Sequence, residues 1–227
     1  ILSSVTAKFA GPAIVLDCGS AMTKLAYKGK LLVTEPTVVA IEQQSGQFVT
    51  IGDEARKQHA VGSAKITLIR PIKRGRIVDQ VAFQYFLTTL LTKVTWHYGS
   101  PLPAASEVIF ITWPELEPAA KAQWRQLVAS LGRPARISST LSVLTQLGSN
   151  VEDRSWLIDF GASHIGCTLK VGDRFIEQVS IPWGTDAYLR VIERVIQVQD
   201  IRLSEAQLES VLEQVVSIQV TNTQNQR

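Results

Sequence analysis

An α/β fold with sheets layered against helices is predicted by three observations. Two stretches of the chain share one hairpin design, strand-like and helix-like segments alternate, and a run between them is apolar without polar alternation, as a buried strand is. The repeated stretches are AIVLDCGSAMTKLAYKGKLL (Ala13 to Leu32) and SWLIDFGASHIGCTLKVGDRF (Ser155 to Phe175). In each, an apolar strand ends on an Asp, a Gly follows two positions later among small residues, a second strand resumes, and a turn containing Gly leads into a third.

The remaining elements follow in order. Asp79 is placed to cap a helix whose apolar positions Phe83, Phe86, Leu87, Leu90, Leu91 and Val94 recur at helical spacing. The unbroken run Glu107 to Trp113 reads as a buried strand. Pro118 is suited to open a second helix, with Trp124, Leu127, Val128 and Leu131 on one side and Gly132 closing it. After the second hairpin, Asp186 precedes Leu189, Ile192, Val195 and Ile196, and Ser204 and Gln207 have capping-box spacing ahead of Leu208, Val211, Leu212 and Val215.

Composition removes several functional classes. The chain has 227 residues and is 45% hydrophobic, enough for one large core or two modest ones and unlike a disordered or collagen-like chain. Lys and Arg number 23 against 20 Asp and Glu, a net +3 without a long basic run, so no nucleic-acid partner is expected. Cys18 and Cys167 form neither a disulfide framework nor a zinc pattern and read as buried, reduced thiols of a cytoplasmic protein. No run approaches the roughly 18 apolar residues of a spanning helix.

The Asp-x-Gly-Ser turn at Asp17 has two readings. In one it is an ordinary hairpin turn. In the other its backbone N–H groups face phosphate oxygens, Gly19 permits close approach, Ser20 adds a hydroxyl, Lys24 supplies a charge, and Asp17 holds Mg²⁺ through water.

DCGSAMTK (Asp17 to Lys24) resembles the first phosphate loop of actin, and KGKLLVTEPTVVAI (Lys28 to Ile41), IGDEARK (Ile51 to Lys57) and IRPIKRGRIVD (Ile69 to Asp79) are similar to the bacterial cell-shape family of MreB. IDFGASHIG (Ile158 to Gly166) resembles that family's second phosphate loop, and IPWGTDAYLRVI (Ile181 to Ile192) the turn beside the ribose. The resemblance implies an actin-like ATPase fold of two ribonuclease-H-like domains, the second incomplete. The first would span 1–137 with a small inserted subdomain at about 30–73, and the partial second 138–227. It further implies ATP held by Asp17, Gly19, Ser20, Ala21, Met22 and Lys24, by Asp159, Gly161, Ala162 and Ser163, and by Gly184 and Glu209, with Mg²⁺ at Asp17 and Asp159.

The departures fall on the chemistry. Ala162, Ser163 and His164 stand where the family loop carries glycines and Thr, and Ser163 should crowd a phosphate. The family's water-orienting Glu aligns with Ala120, and Leu212 replaces a Lys of the adenine clamp. His164 reads either as a donor near phosphate or as an exposed turn residue, and Trp113, Trp124 and Trp183 read as core or subdomain-interface aromatics.

The implied role is a filament-forming, nucleotide-responsive cytoskeletal subunit on the cytoplasmic side, with hydrolysis lost. Ile1, Leu2, Val5 and Phe9 are candidates for membrane contact. An alternative is a non-catalytic module of the same fold that recruits partners in division or pilus assembly.

Overall fold

A computed structural model describes residues 13–61, 65–98, 102–103, 106–112, 116–140, 143, 154–172, 174–197 and 207. The elements in chain order are β1 (Ile14–Cys18), β2 (Met22–Tyr27), β3 (Lys30–Pro36), β4 (Val39–Glu42), β5 (Phe48–Ile51), α1 (Gly52–Ala60), β6 (Ile66–Ile69), β7 (Ile72–Lys73), β8 (Arg76–Ile77) and α2 (Gln80–Tyr98). They continue with β9 (Val108–Thr112), α3 (Pro118–Ser130), β10 (Ala135–Ser139), β11 (Arg154–Phe160), β12 (Ile165–Val171), β13 (Arg174–Ile181) and α4 (Thr185–Gln197).

The main sheet has the order β10-β9-β1-β2-β3, with β1, β2 and β3 antiparallel and β9 and β10 added parallel to β1. Its apolar faces explain its position. Ile14, Leu16, Leu25, Val108 and Phe110 lie in the core with Phe83, Phe86, Leu87, Leu90 and Val94 of α2 and Ala120, Trp124 and Leu127 of α3. Each of the Val, Ile, Leu and Phe side chains among them contributes about 1.5–3 kcal/mol by leaving water. Val15, Ile109 and Ile111 point the other way and pack with Val143.

The predicted helix signals operate as read. The Ala82 N–H donates to Asp79 Oδ1 at 2.9 Å, which caps α2. Pro118 occupies the first turn of α3. The run after Glu107 forms the fully buried strand β9, while Trp113 lies outside the described residues. Trp124 is core, edge-on to Phe83 with ring centroids 5.5 Å apart, but Trp183 is 57% exposed, so the core reading fails there.

The small inserted sheet, of order β5-β4-β6, begins at Val39 and not at Lys30. Lys28 (φ 46°) and Gly29 (φ 76°) make a two-residue turn that returns the chain at once beside β2, so β3 is the edge of the main sheet. The small sheet is tied down by Glu35 of β3, whose Oε2 accepts the Asp53 N–H at 2.9 Å and whose Oε1 pairs with Lys93 Nζ at 3.2 Å.

The second hairpin forms a separate antiparallel sheet, β11-β12-β13, followed by α4. Among the described helices none is long and apolar enough to cross a membrane. The N-terminal membrane-contact candidates lie outside the described residues, as does the capping-box segment apart from Gln207.

Candidate functional site

The two loops repeat each other in geometry as well as in sequence. The Gly19 N–H donates to Met22 O at 3.0 Å, and the Gly161 N–H to His164 O at 2.9 Å, so each hairpin closes through a two-residue turn, Ser20–Ala21 or Ala162–Ser163. A Cβ at Gly19 would lie 2.8 Å from Met22 O, and one at Gly161 would lie 3.0 Å from His164 O. A side chain at Gly19 would force the backbone to shift, and one at Gly161 would be tightly crowded, before any ligand is considered.

The turns meet at their tips. Ser20 Oγ and Ser163 Oγ are 3.1 Å apart in a hydrogen bond that spans 143 positions of sequence. Ser20 Oγ also accepts the Arg74 N–H at 3.0 Å, which fastens the β7–β8 hairpin to the first loop. The Thr37 N–H donates to Ala21 O at 2.8 Å, fixing the back of that loop.

Asp17 lies at the end of β1 opposite Lys24 of β2, so the two side chains share a face. Burial pushes the Asp17 carboxyl above its ordinary value, Lys24 pulls it back in part, and the carboxylate of Asp159 pushes it up again. The first and second loops thus bring one carboxylate each into electrostatic reach. Cys18 is buried and its thiol is pushed well above its usual range, as for an inert packing thiol, whereas Cys167 is only half-buried.

Gly184 is packed against the backbone of the second loop. A Cβ there would fall 2.4 Å from Ala162 C and O and from Gly161 O. The N–H of Thr185 donates to Gly161 O at 3.2 Å and that of Asp186 to Ala162 O at 2.8 Å. The first turn of α4 is therefore packed directly under the second loop, and Gly184 is the residue that lets it in. Met22 starts β2 behind the first turn, and Glu209 lies outside the described residues.

A cleft of about 740 Å³ runs beside the loop tips. Ser20, Ala162, Ser163 and Gly184 line it, while Asp17, Lys24 and Asp159 do not. His164 also lines it and is half-buried, which corrects its reading as an exposed turn residue. Burial pushes its imidazole below the ordinary value, with Asp159 pulling the other way.

Two other groups on the cleft were missed in the sequence. The β7–β8 hairpin contributes Lys73, Arg74 and Arg76, and Glu117 at the start of α3 pairs with Arg76. The density of basic residues in RPIKRGR was the available signal. Glu117, the residue just before the helix, faces the cleft. Ala120 is 2% exposed within the core. A carboxylate at that position would start within the core cluster and not on the cleft, whose lining does not include Ala120.

Comparison with known proteins places this geometry in context. Residues 11–118 match the MreB/Mbl protein family. The cell shape-determining protein Mbl of Bacillus cereus is 35% identical over 85 residues, 35% of this chain and 26% of that protein. Mbl of Bacillus subtilis is 34% identical over 82 residues, 36% of this chain and 25% of that protein. Each match thus spans about a quarter of the curated relative. Crystal structures of MreB5 of Spiroplasma citri bound to AMPPNP and to ADP share the fold, with TM-scores of 0.74 and 0.75 at 17% identity, over 89% of this chain and 62% and 61% of theirs.

Proposed function

We propose, for a chain that is MreB/actin-like in family through residues 11–118 and in fold beyond them, that the two loops form one site for Mg·ATP. The protein would act as a self-associating, nucleotide-responsive subunit of a cell-shape cytoskeleton, cytoplasmic and in contact with the membrane, with hydrolysis lost. The supporting observation is the 3.1 Å contact between Ser20 and Ser163, which sets two equivalent phosphate-type turns face to face.

The residues fit a hard dication. Asp17 and Asp159 are oxygen donors whose charges oppose one another, and a cation between them would relieve that opposition. When bound, Mg²⁺ would neutralise polyphosphate charge beside these carboxylates. The remaining work belongs to the chain: the N–H groups of the two turns face phosphate oxygens, Lys24 supplies a point charge, and Ser163 narrows the approach. Ala120 offers no polar group and Glu117 is engaged by Arg76, so neither is placed to orient water.

Calorimetric titration with Mg·ATP tests the reading. Binding weaker than about 1 μM, a level near −8 kcal/mol, is expected, and Asp17→Ala should abolish its metal-dependent part. An unchanged titration in Asp17→Ala would remove Asp17 from the site. A second reading, a non-catalytic module that recruits partners, is favoured by the apolar face that β11 leaves exposed at Trp156, Ile158 and Phe160.

A further inference from the structure

We propose that the groove between α3 and β10 docks an acidic amphipathic helix of a partner protein. The groove encloses about 580 Å³ and shares no lining with the two loops. The proposal therefore stands whether or not Mg·ATP binds. Among the described residues β10 is the edge of the main sheet, so no further strand closes that side.

The floor is apolar and fixed. Leu116, Trp124, Val128 and Ile137 line it. Trp124 and Val128 stand one helical turn apart on α3 and form a stripe along the groove. The Trp124 ring rests on Phe83 and Phe110, with centroids 5.5 and 5.7 Å apart, and its Nε1–H donates to Gly75 O at 2.8 Å. Half-buried Val128 and Ile137 carry this floor up to the surface, where a partner can cover them. A wall held in this way leaves little ordering for a partner to impose.

The rim is cationic on both sides. Lys121 and Arg125, also one turn apart, stand exposed on α3, Arg136 stands exposed on β10, and no carboxylate lines the groove. Lys121 and Arg125 make no ion pair among the described residues. Arg136 pairs with Glu107 at 2.9 Å, but the two side chains are 43% and 40% exposed, and so open a pair is weak enough to exchange for a partner's carboxylate.

These spacings select the form of the partner. From Lys121 to Ala129 the groove follows α3 for about 12 Å, roughly two helical turns. A helix laid along it sets apolar anchors at i, i+3, i+4 and i+7 on the floor. Acidic residues four apart on its flank then meet Lys121 and Arg125 at the same pitch, and acids on the other flank meet Arg136. Complementary charge fixes the orientation and excludes basic partners.

The test is a fluorescence-anisotropy titration of the full chain against a labelled 15-residue peptide, with Leu at the four anchor positions and Glu on both flanks. A control peptide carries Lys in place of Glu. The Glu peptide should bind and the Lys peptide should not. Lys121→Glu and Arg125→Glu should each weaken the Glu peptide by roughly tenfold, and the double variant should bind the Lys peptide instead. Both positions are exposed on α3, so these variants decide the matter even if Val128→Asp, which should abolish binding, misfolds. Added salt should weaken the Glu peptide. Mg·ATP titration should be unchanged in the double variant, so failure of this proposal and failure of the nucleotide reading are separable. The proposal is overturned if the Glu peptide does not bind, or if both peptides bind wild type and the double variant alike. It is also overturned if phosphatidylserine vesicles, and not the peptide, bind wild type and lose the double variant, which would give the groove to a membrane.

Discussion

The first and second hairpins are built to one plan and buried to different depths. Counted from their aspartates, Ile14, Leu16 and Cys18 of β1 correspond to Trp156, Ile158 and Phe160 of β11. The first three are 0%, 1% and 7% exposed, and the second three 56%, 54% and 71%. Yet the turns that follow close through the same hydrogen bond, at 3.0 Å and 2.9 Å. Loop geometry here is a local property, fixed by a two-residue turn and its glycine. Burial is set by what packs alongside: β1 has β9 on its flank and α2 and α3 over its face, whereas β11 is an edge strand among the described residues.

The sharpest way to break this comparison is a matched pair of truncations. Leu16→Ala should destabilise the protein by about 2–5 kcal/mol, because it opens a cavity in a packed core. Ile158→Ala should stay within about 0.5 kcal/mol, as for an exposed site. Urea unfolding of both variants checks the difference, and equal costs would mean that the β11 face is covered in solution.

A second pair sharpens the common part of the plan. Gly19→Ala and Gly161→Ala both drive a Cβ against a backbone carbonyl, at 2.8 Å and 3.0 Å. Each should cost about 1–3 kcal/mol and by similar amounts, as overpacking against atoms that cannot rotate away does. A large effect at Gly19 with none at Gly161 would show that the second turn relaxes where the first cannot.

The smallest effect is a pH dependence carried by Asp17. Its carboxyl is raised in the folded state, first by burial, so the folded protein binds the proton more tightly than the unfolded chain. That contribution is fully present below the ordinary value of 3.8 and is lost as pH rises through the folded value. Asp17→Asn should therefore melt higher than wild type at neutral pH, with the advantage disappearing under acid conditions. Asp159→Asn should lower the Asp17 value as followed by NMR titration, because it removes a charge that raises it.

The contrast also explains how much was legible in the sequence. The repeat, the turns and the caps depend on near neighbours, so Asp79, Pro118 and the Lys28–Gly29 turn could be read directly. The apolar period of α2 was readable for the same reason. Three features depend on long-range packing and were misplaced or missed. β3 pairs into the main sheet, Ala120 turns into the core beside Trp124, and Glu117 is turned onto the cleft to meet Arg76. Gly184 was picked out as a ligand contact, and its neighbours are the backbone of Gly161 and Ala162. A glycine in a turn signals close approach, but sequence alone does not say whether a ligand or another strand of backbone approaches.

The central claim is that two turns, far apart in sequence, work as a single nucleotide site. A double-mutant cycle on Mg·ATP affinity with Asp17→Asn, Asp159→Asn and the double variant tests it most directly. A coupling of about 1 kcal/mol or more is predicted, because the first substitution removes most of what the second could lose. Losses that add to within about 0.5 kcal/mol would contradict the claim and leave the two loops as independent surfaces.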